Sequence, residues 1–143
     1  LGRRVHDLLT VIRLLENLGA KEISVSGKGQ GALTALFAAV IHGGMRCAGL
    51  KNAPLSCGEW TRTPVSAWPS AMFVKNLLAF CDLPDCYAAL GDRLTLIEPW
   101  GPDMKPLRKA ALSRELRNTG ISSARIGSEA DFLKRPAVKA LFA

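Results

Sequence analysis

The sequence has few histidines, few aromatic residues and no long apolar run. Its two histidines, and four cysteines without the two-residue spacing of a zinc or redox pair, exclude the usual metal motifs, so we predict free thiols and no metal or cofactor. No run reaches the about 18 apolar residues that a membrane-spanning helix needs, so we expect a soluble chain without a membrane partner. No targeting signal is visible in the chain, and the sequence therefore predicts no compartment.

Acidic residues are in the minority. The chain carries 19 Lys and Arg against 12 Asp and Glu, which gives a formal net charge of +7. Such an excess fits either a polyanion-binding surface or a solvated basic face. The basic residues alternate with apolar ones in predicted helices, and no aromatic residues lie between them to stack on bases. We interpret the charge as a solvated face and do not expect a nucleic-acid partner.

Hydrophobic periodicity divides the chain into alternating helices and short strands. The predicted helices are 3–18, 30–41, 106–118 and a final stretch interrupted by Pro136. The predicted strands are 22–26, 46–51, 93–98 and a weak run at 121–126. Strands separated by helices predict an α/β fold with a mostly parallel sheet, and 143 residues suit a single domain, 1–143.

A long excursion, residues 52–92, separates the second and third predicted strands. It contains Trp60, Trp68, several prolines and a predicted helix from about 71 to 80. Connections of this length in a compact domain are usually functional loops or caps. We therefore interpret 52–92 as a cap-like excursion.

Three alternating glycines join the first strand to the second helix, at Gly27, Gly29 and Gly31. Glycines at such a junction permit positive φ and allow the strand to pass sharply into the helix. One interpretation is the G-x-G-x-x-G/A fingerprint of an NADP-type dinucleotide-binding domain. That fingerprint also needs an acidic residue at the end of the next strand, where this chain has Lys51 and Asn52. Dinucleotide binding therefore remains an alternative.

The second interpretation is a nucleophile elbow, G-x-S-x-G, with Gly29 in the place of the serine. Around it lie, in order, a Val-His-Asp-Leu helix, an Asn-Ala-Pro-Leu-Ser run at 52–56, a Cys-Asp-Leu-Pro-Asp run at 81–85 and a strand leading to Gly-Pro-Asp at 101–103. In this order the chain resembles the C-terminal half of bacterial α/β-hydrolases similar to acetyl xylan esterases. The resemblance implies part of a three-layer α/β-hydrolase-like sandwich.

The resemblance also implies the places of the catalytic groups. Gly29 occupies the vacated nucleophile position, the amide of Gln30 the oxyanion position, and Asp103 the triad-acid position. The family's base would follow the acid, yet His6 and His42 both precede Asp103. A hydroxyl activated by histidine is what attacks an ester carbonyl, and glycine has no atom that replaces it. We therefore expect carboxylic-ester hydrolase ancestry without the usual serine-triad activity.

A ligand is still expected near the elbow and the next strand's end, where open α/β sheets bind ligands. The candidate ligand is a small ester or a carbohydrate, and the candidate ligand-binding residues are Gly27, Lys28, Gly31, Ser56 and Cys57. An active small esterase with a non-standard nucleophile, Ser56 or Cys57, remains an alternative. Ser26 is a further weak candidate nucleophile, because its side chain is predicted to point into the packing of the sheet.

The first strand is expected to have an open edge. In the complete fold that the chain resembles, the strand before the elbow pairs on both sides. An exposed strand edge templates pairing with another chain unless it is covered. We therefore predict a homo-oligomer, or pairing with an N-terminal segment, through strand 22–26.

Overall fold

Four parallel strands form one sheet in the computed structural model, which describes residues 1–122, 126–128 and 130. The strands are β1 (Ser24–Lys28), β2 (Cys47–Lys51), β3 (Leu94–Ile97) and β4 (Ile126–Gly127). They lie in the order β1-β2-β3-β4, and every neighbouring pair is parallel. The predicted α/β class and partial α/β sandwich are confirmed.

Helices connect the strands. They are α1 (Gly2–Asn17), α2 (Gln30–His42), α3 (Gly58–Arg62), α4 (Leu83–Leu90) and α5 (Lys109–Thr119), with short 3-10 turns at Ser70–Met72, Leu77–Ala79 and Gly91–Arg93. None of the described helices is both long and apolar enough to cross a membrane. The excursion 52–92 holds α3, α4 and the first two turns, and the third turn begins at its end.

Helix α2 is the central packing element. It contacts β1, β2, α1 and α4, and six of its apolar residues are buried. This explains its composition, since a helix surrounded on several sides needs apolar residues nearly all round. Helix α1 needs apolar residues along one side only, and it packs on α2 through buried Val5 and Ile12. The helix-to-sheet interface is therefore the main core.

The two faces of the sheet differ because side chains alternate along each strand. Val25, Leu50 and Leu96 belong to the core cluster on the helix-covered face. Ser26 lies between inward-facing positions of β1 and is exposed. The prediction that Ser26 points into the packing is therefore wrong, because the alternation directs its side chain away from α2.

The excursion departs most from the predicted elements. The predicted helix at 71–80 is wrong. Two 3-10 turns lie there, and Asn76 between them has φ +61°, which a right-handed helix cannot contain. Helix α4 was not predicted, although Asp82 and Asp85 form a capping box at its start. Strand β1 lies two residues later than predicted, and the stretch interrupted by Pro136 lies outside the described residues.

Candidate functional site

A single residue, Gly29, joins β1 to α2. Its φ is +55° and its ψ is −117°, a conformation that glycine adopts and other residues avoid. The Gly29 amide donates to the Lys51 carbonyl at 2.9 Å, and the Gly29 carbonyl accepts from the Ala32 amide at 3.1 Å. A Cβ atom placed on Gly29 would meet nothing within 4 Å. The elbow is therefore tied to β2 by its backbone and has open space where a side chain would project.

Gly27 has a packing role in the same elbow. A Cβ atom there would lie 2.3 Å from the Gly31 carbonyl oxygen and 2.7 Å from the Ala32 nitrogen. Strand and helix approach so closely that only a hydrogen fits between them. Gly31, in contrast, has nothing within 4 Å of its Cβ position, and Lys28 is exposed at the end of β1. Of the predicted ligand-binding elbow residues, Lys28 and Gly31 are thus on open surface.

Gln30 is the first residue of α2, which has no side-chain cap at its N terminus. Its side-chain oxygen accepts a hydrogen bond from the Arg4 guanidinium at 3.2 Å, and its carbonyl accepts from the Thr34 hydroxyl at 3.3 Å. The Arg4 contact holds the start of α1 beside the elbow. Backbone amides in the first turn of a helix have no carbonyl partner within that helix.

Asp103 lies on the connection between β3 and α5, and it is exposed. Its carboxylate accepts from the Lys105 amide at 3.2 Å, and the Gly101 amide donates to the Lys105 carbonyl at 2.9 Å. These contacts make a tight local turn in which the carboxylate stabilises its own loop.

His42 lies far from the elbow, and the His6 side chain projects into solvent. His6 is exposed on α1, with Nδ1 3.9 Å from an Asp7 oxygen. His42 ends α2, and its Nε2 lies 2.9 Å from the Glu16 carboxylate. Because a helix rises about 1.5 Å per residue, the 13 residues of α2 separate His42 from Gln30 by about 18 Å.

The loop after β2 is organised by Asp82, which was not among the predicted site residues. Its carboxylate accepts from the Ser56 hydroxyl and from the amides of Cys57 at 2.7 Å, Gly58 at 3.1 Å and Leu83 at 2.6 Å. Burial opposes its charge, but these hydrogen bonds outweigh burial and lower the pKa of Asp82. The sequence signal was the Asp-x-x-Asp spacing at 82–85, which is typical of a helix start.

Ser56 and Cys57 are both buried and neither is activated as a nucleophile. The Ser56 hydroxyl donates its hydrogen to Asp82, which is itself saturated with donors. Burial, followed by the nearby Asp82 charge, raises the pKa of the Cys57 thiol to about 12, so the thiolate is scarce at neutral pH. The two residues also face different cavities. Ser56 and Asp82 line one of about 460 Å³, whereas Cys57 and Trp60 line a groove of about 320 Å³.

Comparison of the chain with protein families, characterised proteins and solved structures gave no match.

Within the part of the chain that the structure describes, no group of three or more His, Cys, Asp or Glu side chains is placed to hold a metal ion. The four cysteines are free thiols, as expected from their spacing.

Proposed function

We propose that this chain is an α/β-hydrolase-like module of carboxylic-ester hydrolase ancestry, similar to acetyl xylan esterases, that lacks the serine-triad reaction. The observation that carries the proposal is the elbow at Gly29. It is one residue long, has φ +55°, and links a parallel strand to a buried helix. A nucleophile elbow has this arrangement, with its reactive side chain projecting into open space. Here the space is open and the side chain is absent.

The surroundings of the elbow support a non-catalytic role. Acyl transfer needs a nucleophile and a base within hydrogen-bond reach of one another. Gly29 supplies no nucleophile, and His42 is bonded to Glu16 at the opposite end of α2. Two residues that the resemblance assigns to the site remain in the sequence: Gln30, at the uncapped start of α2, and Asp103, on the exposed connection after β3.

We propose a small ester or a carbohydrate as the ligand of this surface. An acyl or hydroxyl oxygen would accept from the Gln30 amide, and the exposed Lys28 lies one residue before the elbow. The alternative of an esterase with a non-standard nucleophile would rely on Ser56 or Cys57, whose burial and protonation weigh against it. A dinucleotide would lack a ribose-binding carboxylate at the end of β2, where Lys51 stands.

Intact mass measurement after treatment with a fluorophosphonate probe tests the proposal, beside hydrolysis of p-nitrophenyl acetate. We expect no stoichiometric label and no turnover above that of heat-unfolded chain. Labelling with turnover would contradict the proposal, and Ser56→Ala and Cys57→Ser would then locate the reactive atom.

A Gly29→Ser variant tests the ancestry separately. The variant places a hydroxyl in the open space above the elbow, so slow labelling of that variant alone would support a vacated nucleophile position. Turnover is not expected, because no histidine is placed to activate the hydroxyl. Failure of a folded Gly29→Ser variant to take the label even with added imidazole, which supplies the missing base, would count against the elbow interpretation.

The free edge of β1 supports a proposal on assembly. Among the described residues β1 pairs only with β2, so the outer backbone groups of Ser24–Lys28 face away from the sheet. We propose that a second copy of the chain, or a strand from an N-terminal segment, pairs there. Sedimentation equilibrium should then show a dimer, and a stable monomer of 15.4 kDa would contradict pairing between copies.

A further inference from the structure

Two cysteines lie on either side of the residue that caps α4. Cys81 directly precedes the cap, Asp82, and Cys86 is the fourth residue of the helix. Side chains at these two positions pack against each other across many helix starts, an arrangement known as the hydrophobic staple. In this chain both side chains are thiols. The start of α4 therefore pairs two cysteines whose spacing in the sequence is not that of a redox motif.

The two thiols are in contact and the backbone between them is fixed. A hydrogen bond joins the Cys81 and Cys86 side chains. The Asp82 amide donates to the Asp85 carboxylate at 2.8 Å, and the Cys81 amide donates to the Leu77 carbonyl at 3.0 Å. These bonds hold the chain on both sides of the cap, so they keep the two sulfur atoms side by side.

The two thiols differ in their access to solvent. Cys81 is partly exposed, whereas Cys86 is buried, with 7% of its surface accessible. A reagent in solution therefore reaches Cys81 first, and Cys86 is reached from within the protein. An exposed cysteine beside a second one that can attack it is the usual arrangement of a redox-sensitive pair.

The state of Cys81 affects the reactivity of Cys86. Burial, followed by the charge of Cys81 and the hydrogen bond with its side chain, raises the pKa of the Cys86 thiol to about 12. The Cys86 thiolate is therefore scarce at neutral pH while Cys81 is reduced. A Cys81 sulfur in a disulfide has no charge and no proton, so Cys86 ionises more easily after Cys81 has reacted than before.

We propose that Cys81 and Cys86 form a reversible disulfide by exchange with an oxidised low-molecular-weight disulfide of the glutathione type. The Cys81 thiolate attacks one sulfur of the small disulfide, forms a mixed disulfide and releases one small thiolate. The Cys86 thiolate then attacks the Cys81 Sγ atom, closes the intramolecular bond and releases the second small thiolate. The chain gives up two electrons and two protons, and the small disulfide takes them up to become two thiols.

Cys57 is the competing partner for Cys86. It lies near the pair, since the charges of Cys86 and Cys81 contribute to the raised pKa of its thiol, after burial and the charge of Asp82. The hydrogen bond between the side chains of Cys81 and Cys86 favours their own pairing. The resulting disulfide spans Asp82, so it ties the start of α4 beside the carboxylate that organises the loop after β2. The proposal does not depend on the hydrolase ancestry.

Peptide mapping of the folded chain after incubation with glutathione disulfide tests the pairing. Remaining thiols are alkylated with iodoacetamide in denaturant before digestion with trypsin. Cleavage after Lys and Arg separates the cysteines into three peptides: 47–51 with Cys47, 52–62 with Cys57, and 76–93 with both Cys81 and Cys86. We expect peptide 76–93 to become about 2 Da lighter and to take no alkyl group, while the other two peptides are alkylated in full. Dithiothreitol should restore alkylation of peptide 76–93.

Three results in the native chain would overturn the proposal. They are a lasting glutathione adduct on peptide 76–93, a cross-link between peptides 52–62 and 76–93, and two alkyl groups on peptide 76–93. The first would show that Cys86 does not attack Cys81, the second that Cys57 takes part, and the third that Cys81 does not react.

Single variants separate the two steps of the exchange. Cys86→Ala removes the second nucleophile, so peptide 76–93 should retain one glutathione on Cys81. Cys57→Ala is the matched control at a second buried thiol, and its disulfide should form to the same extent as in the native chain. Loss of the disulfide in Cys57→Ala, or a Cys86→Ala chain that takes up no glutathione, would contradict the assigned roles.

Discussion

The loops that follow β1 and β2 leave the same edge of the sheet, yet backbone hydrogen bonds stabilise the first and a buried side-chain carboxylate stabilises the second. The first is a single glycine, Gly29, held by two backbone hydrogen bonds and open above its Cα. The second buries Ser56 and gathers three amides and a hydroxyl around Asp82. The turn at Gly29 thus leaves open space that no side chain fills, while the second loop has polar groups already used for folding.

Substitution of Gly27 should give the largest effect on stability. Gly27→Ala places a methyl group 2.3 Å from the Gly31 carbonyl oxygen, which is backbone and cannot rotate away. We expect a loss of about 3 kcal/mol in the free energy of unfolding, measured by urea denaturation. Gly31→Ala is the control: its Cβ position is open and helical, so its effect should be neutral or slightly stabilising. A tolerated Gly27→Ala would contradict the close approach of β1 and α2.

Loss of the Asp82 carboxylate should have the second-largest effect on stability. Asp82→Ala leaves the buried Ser56 hydroxyl and the Cys57 amide without acceptors and removes the cap of α4, so we expect a loss of about 2–3 kcal/mol. Chemical denaturation at pH 7 measures it, with Asp7→Ala, at a 79% exposed position of α1, as the control. If both variants were equally stable, Asp82 would not organise the second loop.

Substitution of Gly29 should reduce stability less than the changes at Gly27 and Asp82. Gly29→Ala meets no atom within 4 Å, so the expected loss of about 1–2 kcal/mol comes from φ +55° alone. Denaturation of Gly29→Ala beside Gly27→Ala separates strain in the backbone from collision between atoms. A larger loss for Gly29→Ala than for Gly27→Ala would reverse our interpretation of the elbow.

A change of pH should have the smallest effect on stability. It acts through Glu59 in α3, the helix that directly follows the second loop. Burial, and then the charge of Glu115, raise the pKa of Glu59 to about 7. Glu115 is buried, and the Glu59 Oε2 atom is buried without a hydrogen-bond partner. A proton on Glu59 would ease the repulsion between the two carboxyl groups.

The sign of the pH effect follows from the two pKa values. The folded value, about 7, exceeds the ordinary value of 4.5, so Glu59 binds its proton more tightly in the folded chain. Stability from this group is complete below pH 4.5 and is lost as the pH rises through 7, by about 1 kcal/mol after allowance for solvent screening. Thermal unfolding from pH 5 to pH 8 measures it. Glu59→Gln should flatten the profile, and an unchanged slope would exclude Glu59 as its source.

Local patterns predicted the part of the fold in which neighbours in sequence decide the structure. The apolar stretch at 30–41 became the buried helix α2, and the glycine spacing marked the turn at Gly29, because periodicity and conformational freedom belong to the residues themselves. The helix predicted at 71–80 failed because Asn76 adopts a left-handed conformation that the apolar pattern does not report.

The sequence by itself determined the order of the four strands and of α1, α2 and α5, the position of the elbow and the absence of a serine within it. Only the tertiary structure decided that Ser26 points outward, that the Ser56 hydroxyl donates to Asp82 and that Trp60 stacks on Trp68. The physical reason is distance along the chain. Ser56 and Asp82 are 26 residues apart, and Trp68 and Gly101 are 33 apart, so their contacts arise only when the excursion packs against the edge of the sheet.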